Sequence, residues 1–260
     1  MNRVLYILRS TFAVCVTVVL AGGLLSCDSG GSSGEEAPTA QVRFLHASPD
    51  AGPVAVTADG SELASNLTFS QDLTDPTITD YNEIPVSSTI EVQNEGGDAL
   101  TTVDASTLDS ERQYTVVVAG GVSAGNEEGR DTPRAIVLLD DLPSLDAGDV
   151  GLRVVHGSAA LPAVDVFLIP PSGEPGSDNR RASSVSFSET WPSAPSGEFQ
   201  VESIPDEGRV VRMPTSEGPL DIPIDTQSGP SVPTGRHATI ILFDRSPGAE
   251  FPWAATLQVD

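Results

Sequence analysis

Residues 42–56 read VRFLHASPDAGPVAV, and residues 152–166 read LRVVHGSAALPAVDV. A constant offset of 110 superposes Arg43 on Arg153, His46 on His156, Ser48 on Ser158, Val54 on Val164 and Val56 on Val166. A second pair, ERQYTVVVAGG (111–121) and GRHATIILFDR (235–245), aligns Arg112 with Arg236 and Thr115 with Thr239 at an offset of 124. The second copy therefore carries 14 extra residues, expected in the Pro/Ser/Gly-rich stretch 170–197. A repeat of this length describes two units, each large enough to bury its own core.

Within each copy the local pattern is β. Short runs of Val, Ile, Thr and Phe alternate with Gly/Pro/Asp/Ser clusters. The first copy predicts strands at 41–46, 53–58, 66–70, 77–82, 88–94, 99–103, 113–119 and 134–140. The second predicts 151–156, 163–169, 183–187, 198–202, 208–213, 220–224, 236–243 and 254–259. Alternation places Val54, Val56, Val164, Val166 and Leu168 inside. Thr115–Ala119 and Thr239–Phe243 are apolar on both faces, as central strands of a sandwich are. The expected fold is all-β: two tandem β-sandwiches, immunoglobulin-like in layering, over 41–145 and 146–260. Their boundary falls in the turn-rich LPSLDAGDV at 142–150.

Outside the repeat, residues 1–26 have the layout of a secretory signal. Arg3 and Arg9 precede the apolar Thr11–Leu20, which is short for a membrane span. Leu24-Leu25-Ser26-Cys27 resembles the lipobox of bacterial lipoproteins. That resemblance implies lipidation of the Cys27 sulfur and cleavage before it. Residues 27–40, the Cys followed by DSGGSSGEEAPTA, then form the anchor and a flexible tether, because Gly, Ser and Glu cannot bury apolar area. The expected localisation is the bacterial cell envelope, facing periplasm or exterior, with the membrane itself as a partner through Cys27. The chain's other cysteine is Cys15, inside the signal, so no disulfide framework is available.

The string V-R-x-x-H-A-S-P-D-A-x-x-V-x-V, with the Ala58-Asp59-Gly60 turn, Tyr114-Thr-Val-Val-Val-Ala-Gly-Gly and Leu138-Leu-Asp-Asp-Leu-Pro, resembles the DUF4397 family of bacterial envelope proteins. The second copy keeps Arg153, His156, Ser158, Val164, Asp165 and Val166 but has Ala159-Ala160 where the first has Pro49-Asp50. The family is a domain of unknown function. The resemblance therefore implies architecture and location, not chemistry.

The repeated polar residues Arg43, His46, Ser48, Arg153, His156 and Ser158 are the candidate site. His46 and Ser48, like His156 and Ser158, share a strand face, but no orienting acid or G-x-S-x-G elbow accompanies them. The expectation is a structural motif, with each His bonded to a neighbouring loop, and no catalytic residue. Each Arg is expected to pair with a carboxylate of its own unit, Asp50 and Asp165 being the candidates. Asp72, Asp75, Asp80 and Asp140-Asp141 are acidic enough to raise Ca²⁺, yet their spacing matches no calcium loop. Trp191 and Trp253 raise a glycan platform. No metal and no cofactor is expected.

Charge narrows the partners. The chain has 37 Asp+Glu against 13 Lys+Arg, all thirteen of them Arg, for a net charge of −24. That balance excludes nucleic acid, whose phosphates need a basic surface. The expected function is that of a lipid-anchored envelope protein acting as a non-enzymatic binding or structural module, with an envelope protein or glycan as partner. A glycan- or Ca²⁺-binding module is the alternative, and a hydrolase at the His/Ser pairs the third. Without the signal the side-chain charge is 11 − 37 = −26. Salt screens such self-repulsion, the Debye length falling to about 3 Å at 1 M. The melting temperature is therefore expected to rise from low to molar KCl. A flat or falling melting temperature would contradict this account of the charge.

Overall fold

Alternating burial along the first strand shows how the molecule is layered. In β1 (Thr39–Ala47), Ala40, Val42 and Phe44 point into one core, while Leu45 and Ala47 point into another. The computed structural model describes residues 37–69, 78–121, 133–193, 197–215, 218–224 and 232–244, and the backbone of 253–259. Cys27, the signal, most of the tether, Asp72 and Asp75, and the Trp253 side chain lie outside the described residues.

The first sandwich adds β2 (Val54–Ala58), β3 (Ser61–Leu67), β4 (Asn82–Pro85), β5 (Thr89–Asn94), β6 (Ala99–Asp104), β7 (Gln113–Ala119) and β8 (Arg134–Leu139). Its sheets are ordered β4-β1-β7-β8 and β3-β2-β5-β6. The second has β9 (Asp149–His156), β10 (Val164–Ile169), β11 (Arg180–Val185), β12 (Thr190–Trp191), β13 (Gln200–Ser203), β14 (Arg209–Thr215), β15 (Gly218–Ile224), β16 (His237–Asp244) and β17 (Trp253–Val259). Its sheets are β12-β9-β16-β17, with β13 also on β9, and β11-β10-β14-β15. The two strand orders correspond, with β4 on Thr39–Val42 of β1 matched by β13 on Asp149–Leu152 of β9; β12, opposite Val154 and Val155, is matched in the first copy by the isolated bridge of Leu45 with Ile78. Both contain one parallel pair, β1 with β7 and β9 with β16, in matching register: Arg43 lies opposite Thr115, and Arg153 opposite Thr239.

Three strands differ from expectation, one of them the short β12 at Thr190–Trp191, which falls between the predicted 183–187 and 198–202. The predicted 66–70 and 77–82 are replaced by β3 at 61–67 and β4 at 82–85, the remainder of those predictions falling partly outside the described residues. Asp59 and Gly60 both adopt positive φ, 48° and 80°, which is a type I′ hairpin turn. Pairing therefore resumes immediately at Ser61. Because β3 is a mostly exposed edge, its Ser-Glu-Leu-Ala-Ser-Asn sequence carries no apolar alternation to announce it.

Each sandwich closes over its own core, and a third core joins them. Val116 and Val118 of β7 face the first core; Val117 and Ala119 face outward. Ile240 and Leu242 of β16 face the second core; Ile241 and Phe243 face outward. These outward residues meet, together with Leu45, Ile136, Leu138 and Val155, in one buried cluster. This explains why the central strands are apolar on both faces: the far face of each is covered by the other sandwich. Residues Ala37–Asp260 accordingly close into one compact unit. Backbone approaches backbone at this seam, where Gly120 N–H donates to Gly157 O at 3.1 Å. A Cβ on Gly157 would sit 2.8 Å from Leu242 O and 3.0 Å from the Ala119 Cβ, so this contact demands glycine.

The longest extension of the second copy is the β10–β11 connection. It runs from Pro170 to Asn179, where the first copy has only Asp59-Gly60. It lies on the outer face of its sheet, Arg212 Nη1 donating to Gly173 O at 3.2 Å. That face carries the buried cluster Phe167, Ile169 and Val210. In the first copy the positions of Phe167 and Ile169 are Thr57 and Asp59, which need no cover.

Candidate functional site

The repeated Arg side chains sit in the middle of β1 and β9, and the repeated His side chains at or near their C-terminal ends. They leave opposite faces, because they are three residues apart.

Arg43 and Arg153 converge on one carboxylate, Asp140, just beyond β8. Arg153 Nη2 donates to Asp140 Oδ1 at 2.7 Å, and Arg43 Nε lies 3.4 Å from Oδ2. Oδ2 also accepts the hydroxyls of Thr115 (2.5 Å) and Tyr81 (2.8 Å). Each Arg Nε donates to the Thr across its parallel strand, Arg43 to Thr115 at 2.8 Å and Arg153 to Thr239 at 2.7 Å. Arg153 Nη1 donates to Leu139 O at 2.9 Å. Each guanidinium lies over an aromatic ring, Arg43 over Tyr81 at 4.8 Å and Arg153 over Phe199 at 4.3 Å. Arg153 is fully buried and the Asp140 side chain is 3% exposed. Two cations so deprived of water need both the charge and the fixed acceptors.

The expected partners are corrected here. Asp165 pairs with Arg180 at 3.6 Å and accepts the Ser184 N–H. The Asp50 carboxylate lies against Gly121, where a Cβ would come within 3.2 Å of it. Arg43 does take an acid from the first copy, but Arg153 takes the same one, across the seam. Asp140 is thereby removed as a Ca²⁺ ligand, and Asp141 is bound at 2.6 Å by Arg112. Among the described residues no group of three or more His, Cys, Asp or Glu could hold a metal.

At the C-terminal ends of these strands, His46 Nε2–H donates to Gly52 O at 2.8 Å and His156 Nε2–H to Pro162 O at 3.1 Å. Carbonyls only accept, so both rings carry the proton on Nε2. Gly52 and Pro162 are themselves 110 apart, which makes the contact part of the repeat. In the first copy His46 Nδ1 receives the Ser48 backbone N–H at 3.2 Å, not its hydroxyl. In the second copy the Ser158 hydroxyl donates to Asp244. Neither pair has the hydroxyl-to-imidazole bond that a nucleophile and base require. Burial pushes both imidazoles below the ordinary 6.5, against the opposing pull of those carbonyls.

Asp244 also accepts the N–H groups of Ala159 (2.8 Å) and Ala160 (3.0 Å). Its counterpart in the first copy is Gly120, while the counterpart of Ala160 is Asp50. Each copy thus keeps one carboxylate at this corner, supplied from opposite sides. His237 bonds Pro143 O at 2.9 Å and packs edge-on to Phe199. A Cβ on Gly151 would meet it at 2.3 Å, and in the first copy this cross-strand pair is Gln41 with Gln113. Trp191 is buried in the second core, which removes it as an exposed glycan platform.

One open cleft, of about 760 Å³, lies between the sandwiches. Its walls are Ala135–Val137 of β8, Arg181–Ser183 of β11 and the segment Ser188–Pro192 that contains β12. Sequence reasoning missed it, because its walls come from parts of the chain about 50 residues apart that no motif marks.

The geometry defines a class: an all-β protein of two sandwiches joined face to face about a buried Arg–Asp–Arg centre. Residues 40–167 match the family model described as Domain of unknown function (DUF4397). The matched span begins in β1 and ends within β10, so it contains Arg43, Asp140 and Arg153 together. No curated protein matches the chain. Among solved structures the chain is similar to the tip fimbrial protein Mfa3 from Porphyromonas gingivalis with C-terminal truncation. That match has 9% identity and a TM-score of 0.24, over 85% of this chain and 99% of that one.

Two predictions follow from the centre and from the imidazoles. Asp140→Asn is expected to cost about 3–5 kcal/mol, because it strands buried cations. Asp141→Asn is expected to cost at most about 1 kcal/mol, its ion pair being exposed. Denaturant unfolding of both variants measures the contrast, and equal losses would contradict it. A His with a lowered folded pKa binds fewer protons than its unfolded counterpart as pH falls through 6.5. Its stabilising contribution is full above that value and is lost toward the folded pKa. Between about pH 7.5 and 5.5 the stability advantage of wild type over His46→Gln/His156→Gln should shrink. Ring-proton titrations by NMR should have midpoints below 6.5.

Proposed function

We propose that the chain is an exported, lipid-anchored protein of the bacterial cell envelope, a tandem of two DUF4397-like units over 41–145 and 146–260 that serves as a non-enzymatic binding or structural module. The observation that carries this is the use made of the repeated polar residues. Arg43, Arg153, His46, His156 and Ser158 are all engaged within the fold, against Asp140, backbone carbonyls and Asp244. A repeat whose polar residues serve strand and seam geometry supports a scaffold that presents surfaces. The Leu24–Cys27 lipobox supports the anchor, since several acyl chains on one residue hold a protein durably where a single chain is marginal. The tether of 27–40 then holds the sandwiches away from the bilayer. The net charge of −24 disfavours direct adsorption on anionic lipid, so contact with the membrane runs through Cys27.

Expression of the full chain in a bacterial host with a radiolabelled fatty acid tests the anchor. Wild type is expected to be labelled and to sediment with membranes. Cys27→Ala should be unlabelled and released by washing; equal sedimentation of the two, without label, overturns the anchor. Retention on the immobilised chain of a specific component from envelope extracts is expected for the binding role, and its absence removes that half of the proposal.

A further inference from the structure

Resting on that binding role, we propose that the cleft between the sandwiches receives an extended peptide segment of a partner protein. The segment pairs by its backbone with the free edge of β8 and sets a basic side chain against Glu189.

The case begins with which residues line the cleft. In a strand, neighbouring side chains point to opposite faces. A cavity lying over one face touches every second residue. This cleft touches Ala135, Ile136 and Val137 in succession. It therefore lies beside β8, in the plane of the sheet, along its hydrogen-bonding edge. Among the described residues β8 ends its sheet, pairing with β7. The opposing walls repeat the pattern. Arg181, Ala182 and Ser183 are successive residues of β11, which ends the outer sheet of the second sandwich, and Ser188–Pro192 run through β12, which ends its inner sheet. Three sheet edges converge on one opening.

Exposed edges are ordinarily blunted by Pro, by charges or by bulges. The Ala135–Val137 segment has no Pro and no charge, and its register with β7 is unbroken from Arg134 to Leu139. At about 3.4 Å per residue, three residues offer a pairing length of about 10 Å. An edge of this kind selects an extended backbone, with side-chain pockets adding specificity.

Charge sets the sign of the occupant. Arg181, on the β11 wall, is neutralised by Glu202 through two bonds, 2.7 and 3.1 Å. Arg134, at the start of β8, is turned onto the Phe187 ring and the Ser188 hydroxyl. Glu189 is exposed in the cleft and, among the described residues, its carboxylate is held by the Ser186 N–H at 2.8 Å. A basic residue of the segment complements that carboxylate, in a chain whose net charge of −24 favours cationic partners throughout.

The test uses the full chain and an octapeptide of alternating valine and threonine flanked by arginines. Calorimetry is expected to show binding, and hydrogen exchange should show the amides of 135–137 newly protected. The same peptide N-methylated on alternate backbone nitrogens should bind at least about tenfold more weakly, because its backbone bonds are blocked. Glu189→Gln should weaken the arginine-flanked peptide by about two- to fivefold and leave a glutamate-flanked one no weaker. Absence of binding, equal binding of the methylated peptide, no protection at 135–137, or filling of the cleft by an oligosaccharide instead would each overturn the proposal. Extract pull-downs with Glu189→Arg at unchanged melting temperature separate the two levels. Undiminished retention of the wild-type partner sinks the cleft and leaves the binding role. No partner on wild type sinks the binding role.

Discussion

A single buried carboxylate holds the architecture together. Asp140 neutralises two guanidinium groups that arise from the first strand of each sandwich, and it stands between them where the chain crosses from one sandwich to the other. Arg153 has no access to water, so its charge is tolerable only with Asp140, Thr239 and the Leu139 carbonyl all in place. Those acceptors come from both sandwiches. The arginine is therefore satisfied only when the two are docked in this one arrangement. The apolar seam of Leu45, Val117, Val155 and Ile241 supplies a driving force of area, which is non-directional. The ionic centre supplies direction.

Much of this was legible in the sequence, and the limits have physical causes. The repeat placed Arg43 and His46, and Arg153 and His156, on the first strand of each unit, and most strands fell within two or three residues of their predicted limits, whereas Ser48 and Ser158 lie just past the ends of β1 and β9 and share no strand face with the His. The edge strand β3 escaped because an exposed edge needs no apolar face. The role of His46 was legible as a bond to a neighbouring loop, since the loop is six residues away. Asp140 was not legible as the partner of Arg43 and Arg153. It is 97 residues from Arg43 in sequence, and beside Asp141 it looks like one more solvated acid. The two adjacent carboxylates have opposite fates, one 3% exposed and the other 63%, and only packing distinguishes them. The apolar second face of β7 was seen but explained by one sandwich, where two are required.

The copies differ in compensated pairs, and these pairs state what the fold constrains. Gln41 and Gln113 face each other across the first parallel pair, bonded at 2.8 Å; at the same register the second copy has Gly151 and His237, a small residue making room for a large one. Asp50 in one copy and Asp244 in the other supply the corner carboxylate from opposite sides. Thr57 and Asp59 face solvent, whereas Phe167 and Ile169 come with the ten-residue connection 170–179 that lies over their sheet. In each case the sum of volume, charge or exposed apolar area is kept while its distribution changes, as close packing demands.

That freedom stops at the seam. Arg43 and Arg153, Thr115 and Thr239 are identical in the two copies, yet their surroundings are not equivalent, because one Asp140 serves both. Two identical arginines meeting face to face would repel each other. The connection between the sandwiches breaks the symmetry by placing its acid once, in the middle, with its two oxygens turned to different copies. The same asymmetry separates the sheet edges: β8 of the first sandwich is left standing beside β11 and β12 of the second, and the cleft is what lies between them. A surface feature of this kind can exist only in the joined pair. The ionic centre that fixes the joint therefore also fixes the shape of the cleft, and whatever binds there reads the docking of the two sandwiches as much as the residues of either.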